Sequence, residues 1–500
     1  MFKSSTFSKA TDADTLSLLS NDYKVFVNGI EVSVYNCRIS AYPFNRHWPY
    51  HQRQLEQSEK VSYVNIVSDE DIDIKIIPAK KDYSRIMLKP YSKNVVTIRE
   101  GDTISFSLKE HGGYVLELDD YHGCLYIFNN KPIPAPDPNE VTYYFGEGIH
   151  HVGKLTLKSN ESVYVDTNAL VFGNIYAENA QDLHIFGNGI FNDGGEERCL
   201  EHCYQNHTVG NLKMYDCKNI KIEGVGFTNS AIWCINLFHC FDVEIDGIRV
   251  FGEWRYNTDG IDAGNSQRVV IKNSFVHSFD DTIVIKGIDR YVHTICSDIL
   301  VENCVLWCDW GRSCELGYET ACREYKNIIF RNCDVLRGAS AVCSVHNGDC
   351  AEIHDVIYED IRVELESFYT KPLLQLSDDH TYTETDVAET RIIDVNNNRF
   401  RDSYAFLNLP DLQGELKKGD KRFASAHDII FRNISVYCDD KLFSMKGEKC
   451  ALIKINNVIP TTEFYNLKVE NISLNGKKLN SDDIDLFVNG TVKDINILEK

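Results

Sequence analysis

Two different patterns of apolar and polar positions divide this chain. From Lys24 to about Tyr144 apolar residues alternate with polar ones, as in Ile72-Asp73-Ile74-Lys75-Ile76 and Thr103-Ile104-Ser105-Phe106-Ser107-Leu108. A period of two puts the apolar side chains of a strand on one face, and short strands broken by turn signals predict a β-sandwich. The stretch from Asn130 to Asn139 carries four prolines, cannot pair as a strand and marks a boundary.

Beyond that boundary the pattern repeats. A polar residue opens each unit, alternating apolar positions follow, then Gly, Asn or Asp, then more apolar residues. Asn219-Ile-Lys-Ile-Glu-Gly224 and Asp242-Val-Glu-Ile-Asp-Gly247 are two such units, and others open at Asp182, Arg268, Asp298, Asn327, Asp355, Asp428 and Asn466. From Asn219 to Asp355 the intervals are 23, 26, 30, 29 and 28 residues. That period with short strands means a solenoid. The leucine skeleton of leucine-rich repeats is missing and β-branched residues dominate, so the reading is a parallel β-helix filled by Ile, Val, Phe and Cys. The expected fold is therefore all-β, with a sandwich over residues 1–140 and a β-helix over 141–500. The interval of 73 between Asp355 and Asp428 predicts a polar insertion over about 366–426.

Composition narrows the function. The 500 residues carry 52 basic and 74 acidic side chains, a formal charge of −22. Such a surface repels phosphate backbones and anionic lipid heads, which argues against nucleic acid and membrane as partners. Seventeen cysteines, an odd number without zinc-knuckle spacing, read as buried free thiols. With no secretion signal at Met1–Ser20, a reducing, cytoplasmic location is expected, or a secreted one if a leader has been removed.

Solenoid geometry converts sequence spacing into proximity. Asp259, in Asn257-Thr258-Asp259-Gly260, precedes Asp280 by 21 residues and Asp281 by 22, about one bare coil. Three carboxylates are thus expected together on one external face. Crowded carboxylates split their pKa values, which leaves one protonated near neutrality, and acid-catalysed glycosidic cleavage needs one protonated and one ionised carboxyl.

The run Asn257-Thr258-Asp259-Gly260-Ile261-Asp262 followed by Asp280-Asp281 at this gap resembles the signature of glycoside hydrolase family 28, the polygalacturonases. The related family 49 dextranases and isopullulanase add a sandwich before a right-handed β-helix, as here. The resemblance implies an inverting glycosidase without cofactor or metal. Asp280 would be the general acid, with Asp259 and Asp281 polarising the attacking water roughly 6.5–9.5 Å away. Asp262 is either part of this set or a support of the turn.

The departures bear on substrate. Where polygalacturonases carry Gly-His-Gly, this chain reads Gly311-Arg312-Ser313-Cys314-Glu315-Leu316-Gly317, with Arg312 or Glu315 in place of the histidine. Where an Arg-x-Lys pair grips galacturonate, it reads Ala341-Val342-Cys343-Ser344-Val345-His346. Loss of charge-assisted bonds worth about 1.5–3 kcal/mol each disfavours a uronic acid, so a neutral oligosaccharide or polysaccharide is the expected substrate. Further candidates for sugar binding are Asn257, Lys286, which could equally help hold a carboxylate ionised, Glu315, and His346 with Asp349 in a more distant subsite. Trp233, Trp254, Trp307 and Trp310 are candidates for a stacking platform, though packing competes for each. The irregular segment Asn45–Arg53, with Trp48 and Arg53, is read as a loop that closes one end of the groove or as a packing contact between the two parts. Two other classes stay open: a lyase, epimerase or fructosyl-transferring enzyme on the same solenoid, and a non-catalytic carbohydrate-binding solenoid.

Overall fold

The computed structural model describes residues 2–6, 18–40, 55, 58–198, 208–338, 340–365, 376–377, 380–381, 391–397, 423–438, 450–459 and 462–498. Trp48, Arg53 and most of the stretch 366–426 lie outside the described residues.

The first part is a pair of sheets. One joins Phe2–Ser4, Tyr35–Ser40, Ser58–Ser68, Ile86–Lys89, Gly112–Leu118 and Asp120–Asn130. The other joins Tyr23–Val27, Ile30–Val32, Ile72–Pro78, Ile98–Glu100 and Thr103–Leu108. The alternation in the sequence decides what faces inward. Ile72, Ile74, Ile76, Ile104, Phe106 and Leu108 meet Ile66, Leu116, Leu125 and Ile127 in one sealed core. At about 25 cal/mol per Å2 of apolar surface, burying each such side chain contributes about 1.5–3 kcal/mol. The outer face of the first sheet is also apolar. Tyr63, Val115, Tyr126 and Phe128 pack there against Leu170, Phe251, Phe275 and Trp307 of the second part, so the sandwich is seated directly on the coils.

The second part is a right-handed parallel β-helix whose strands pair coil to coil. One column runs Asn236, Asp262, Val284, Glu315, Ser344, Asp394, each aligned with the next. The interior is a single stack of Ile, Val, Leu, Phe and Cys side chains. The described cysteines are free thiols, and all but Cys37 are buried. Every residue read as a coil opener, from Asp182 through Arg268 to Asn466, has positive φ, between 51° and 58°. Asn and Asp tolerate this left-handed corner, which is why they recur there. A second corner repeats the device with Asn273, Asn303 and Asn332, whose amides hydrogen-bond in series at 3.3 and 2.7 Å. Within the stretch expected as an insertion, Arg391–Asn396 is itself a rung, pairing with Ala341–Asn347 on one side and Cys450–Asn456 on the other.

Candidate active site

The turn Asn257–Gly260 is specified residue by residue. Asn257 takes the left-handed conformation (φ 61°), the Thr258 hydroxyl donates to Arg255 O at 2.8 Å, and a Cβ on Gly260 would lie 2.4 Å from Thr282 O. Asp259 is left at the entrance to strand Ile261–Gly264. On the next coil the Ser278 hydroxyl donates to Asp280 O (2.6 Å), and the Asp281 amide donates to Asp280 Oδ1 (3.0 Å). The coils are hydrogen-bonded here, with Gly260 N donating to Asp281 O at 2.8 Å and Thr282 N to Arg312 O at 2.8 Å. Asp259 and Asp280–Asp281 are therefore neighbours across one coil.

Lys286 organises the group. Its Nζ lies 3.2 Å from Asp259 Oδ2, 3.6 Å from Asp281 Oδ2, 3.8 Å from Asp262 Oδ1 and 3.1 Å from Glu319 Oε2, and 4.4 Å from the centre of the Trp233 ring. Lys286, read from sequence as a sugar ligand or as a group that holds a carboxylate ionised, stands as the shared counter-ion of buried carboxylates. Asp281 also accepts the Arg312 amide at 2.8 Å. The Arg312 guanidinium pairs with Glu315 at 3.3 Å, and His346 Nδ1 stands 3.9 Å from the same Glu315 oxygen.

The sequence places the cluster on an external face of the coils and says nothing of its depth. Asp259, Asp280 and Asp281 are only 1%, 8% and 5% exposed. Burial dominates the electrostatics. It pushes Asp280 up to about 8, helped by Asp281 and opposed by Lys286 and Arg312. It raises Asp259, Asp262 and Glu315 well above the carboxylate range, against the pull of Lys286 on the first two and of Arg312 on Glu315. For Lys286 burial works the other way, but Glu319, Asp259, Asp281 and Asp262 outweigh it and hold the ammonium charged. Burial and the cations Arg312, Lys454 and Lys286 keep His346 neutral. Six carboxyl groups thus face two cations, an arrangement that stores protons.

Other candidates fall elsewhere. The Asn257 side-chain oxygen accepts from Arg198 Nη2 at 3.1 Å. Asp349 accepts the Thr320 amide at 2.8 Å, tying two coils together rather than joining the carboxylates. Trp233, Trp254 and Trp307 are buried, and Trp307 stacks on His277 beneath the sandwich, so none of the three offers a sugar an open face. Trp310 is half-buried, stacked on Phe279. Glu319 is the member that spacing cannot find. A register shift opposes Ile285 to Leu316 but Gly287 to Thr320, so the coil period does not align Glu319 with Lys286.

The sequence model of glycosyl hydrolases family 28 matches residues 143–402, just over half of the chain. A probable polygalacturonase of Arabidopsis thaliana is 30% identical over 160 residues, 31% of this chain and 32% of that protein. A probable exopolygalacturonase B of Aspergillus terreus is 24% identical over 206 residues, 37% of this chain and 45% of that protein. The chain therefore spans 32% and 45% of these two relatives' own length. Among solved structures, Dex49A from Penicillium minioluteum shares the fold with a TM-score of 0.57 at 14% identity, covering 96% of this chain and 90% of that one. With the matched model extending over the coils that carry Asp259, Asp280 and Asp281, the chain belongs to glycosyl hydrolases family 28.

Proposed function

We propose that this protein is an inverting glycosidase acting on neutral oligosaccharides or polysaccharides. The observation that carries the reading is Asp280, a carboxyl pushed up to about 8 by burial, lying beside Asp281 and one coil from Asp259, both of which face Lys286. Asp280 gives its proton to the glycosidic oxygen, and Asp281 with Asp259 directs a water onto the anomeric carbon from the other side. Asp281 is the better supported anion of the two, since it receives the Arg312 amide as well as facing the ammonium.

The preference for a neutral sugar rests on Arg312. Its guanidinium is already bound to Glu315, and the aligned positions on the following coils are Ala341 and Arg391, the latter paired with Asp394 at 3.1 Å. A uronate would have to displace these carboxylates. The relatives named polygalacturonases point to the opposite choice, which makes substrate the decisive measurement. A panel of α-linked neutral and galacturonate oligosaccharides, with NMR identifying the anomer first released, tests both statements. The expected result is turnover of a neutral substrate with inverted configuration, abolished in Asp280→Asn. Turnover confined to galacturonates removes the neutral-sugar reading, and a product with retained configuration removes the mechanism.

A further inference from the structure

The dipeptide His-Asp occurs twice at the same position of a coil, as His354-Asp355 and His427-Asp428. The two lie 73 residues apart in the chain, with Arg391–Asn396 forming a rung in between, yet His354 is aligned to His427. The two imidazoles lie face to face on the outer surface, with centroids 4.9 Å apart and planes within 1°. Both aspartates are left-handed, at φ 52°, and each carboxylate reaches the imidazole of its own predecessor. The Nδ1 to Oδ2 distances are 2.8 Å for His354 and 2.7 Å for His427.

A carboxylate at Nδ1 fixes the ring proton on that nitrogen and directs the lone pair of Nε2 outward, the arrangement seen behind metal-bound histidines. Each Nε2 nevertheless faces another carboxylate. His354 Nε2 is 2.9 Å from Glu324 Oε1, and His427 Nε2 is 3.2 Å from Glu352 Oε1. Glu324, Glu352, Asp355 and Asp428 gather at this spot, with Lys326 2.8 Å from Glu324 Oε2 as the close cation. One ligand atom from each of Glu324, Glu352 and His354 lies within 4.8 Å of the others, and all three side chains are half-buried, hence accessible from solution.

We propose that Glu324, Glu352 and His354 bind a zinc-class divalent cation. One imidazole and two carboxylates, with water in the remaining position, suit zinc and cobalt. The ligands come from two consecutive coils, whose strands are Glu324–Arg331 and Glu352–Glu359. The ion would therefore clamp one coil to the next. This site is separate from the carboxylates around Lys286.

The test uses the full chain stripped with a chelator and titrated with Co2+ and with Zn2+. Saturable uptake of one equivalent is expected, with tetrahedral visible bands of Co2+ bound to nitrogen and oxygen and a rise in the midpoint of thermal unfolding. His354→Gln and Glu352→Gln are each expected to weaken uptake at least about tenfold and to remove the thermal shift. Either variant suffices if the other does not fold. Absence of saturable uptake by the wild-type chain, unchanged uptake in both variants, or a cobalt spectrum dominated by thiolate charge transfer would each overturn the proposal.

Discussion

A Cβ built on Gly311 would stand 2.3 Å from Asp281 Oδ1 and 2.6 Å from Asp280 Oδ1. Glycine at 311 is therefore what permits the two carboxylates to sit against the next coil, where the Arg312 amide meets Asp281. Gly311→Ala is expected to displace both aspartates. A misplacement of this size costs about 100-fold in turnover, and overpacking a tight site costs about 1–3 kcal/mol in stability. Turnover numbers and the thermal midpoint, measured together, check this, and an unchanged turnover number would refute it.

Asp280→Asn removes the transferable proton while keeping shape. We expect the rate to fall at least about 100-fold, as is typical when an acid catalyst is lost.

The wild-type pH profile follows from the same side chain. The acid works only while protonated, so kcat/KM should decline above about pH 8. Stability carries the same sign. The Asp280 carboxyl rises from an ordinary 3.8 to about 8 on folding, so the native chain holds a proton that the unfolded chain releases. Its contribution is complete below pH 3.8 and is lost as the pH climbs through about 8. The thermal midpoint of wild type should therefore fall relative to that of Asp280→Asn as the pH rises from 4 to 8.

Lys286→Met deletes the charge shared by Asp259, Asp281, Asp262 and Glu319. Charge-assisted contacts are worth about 1.5–3 kcal/mol, so activity should drop about 10- to 150-fold. Asp259, whose carboxyl the ammonium pulls down against burial, would also take up a proton more readily. The acidic limb of the rate profile should accordingly move to higher pH, a displacement that mere loosening of the fold would not produce.

Arg337 and Glu117 form a fully buried ion pair, 2.6 Å apart, between the coils and the sandwich. Arg337→Met alone leaves a carboxylate without its counter-charge and is expected to cost about 3–5 kcal/mol, whereas Glu117→Leu with Arg337→Met should restore most of that loss. Denaturant midpoints of the two variants measure the difference.

The architecture was legible because its two periods are written in different ways. Alternation over Ile72–Ile76 marks a half-buried strand, and recurrence of a left-handed Asn, Asp or Arg marks a coil corner. The neighbourhood of Asp259 with Asp280–Asp281 follows from the same arithmetic, since one bare coil separates them. Spacing carries no information on depth. The burial of the three aspartates, and their contacts with Lys286 and the Arg312 amide, depend on side-chain directions that no periodicity encodes. Glu319 escapes for a further reason: the irregular pairing between Ile283–Gly287 and Arg312–Thr320 breaks the count just where it would be needed.

Although 73 residues separate the partners, Ile357 meets Ile430 and Glu359 meets Arg432 in register, and Arg391–Asn396 supplies a further rung within that interval. The scaffold consequently accommodates here a coil with far more residues than its neighbours. New segments can be acquired, lengthened or exchanged there during evolution while the scaffold beneath the reacting groups keeps its geometry, so substrate range can diversify without the catalytic carboxylates being rebuilt.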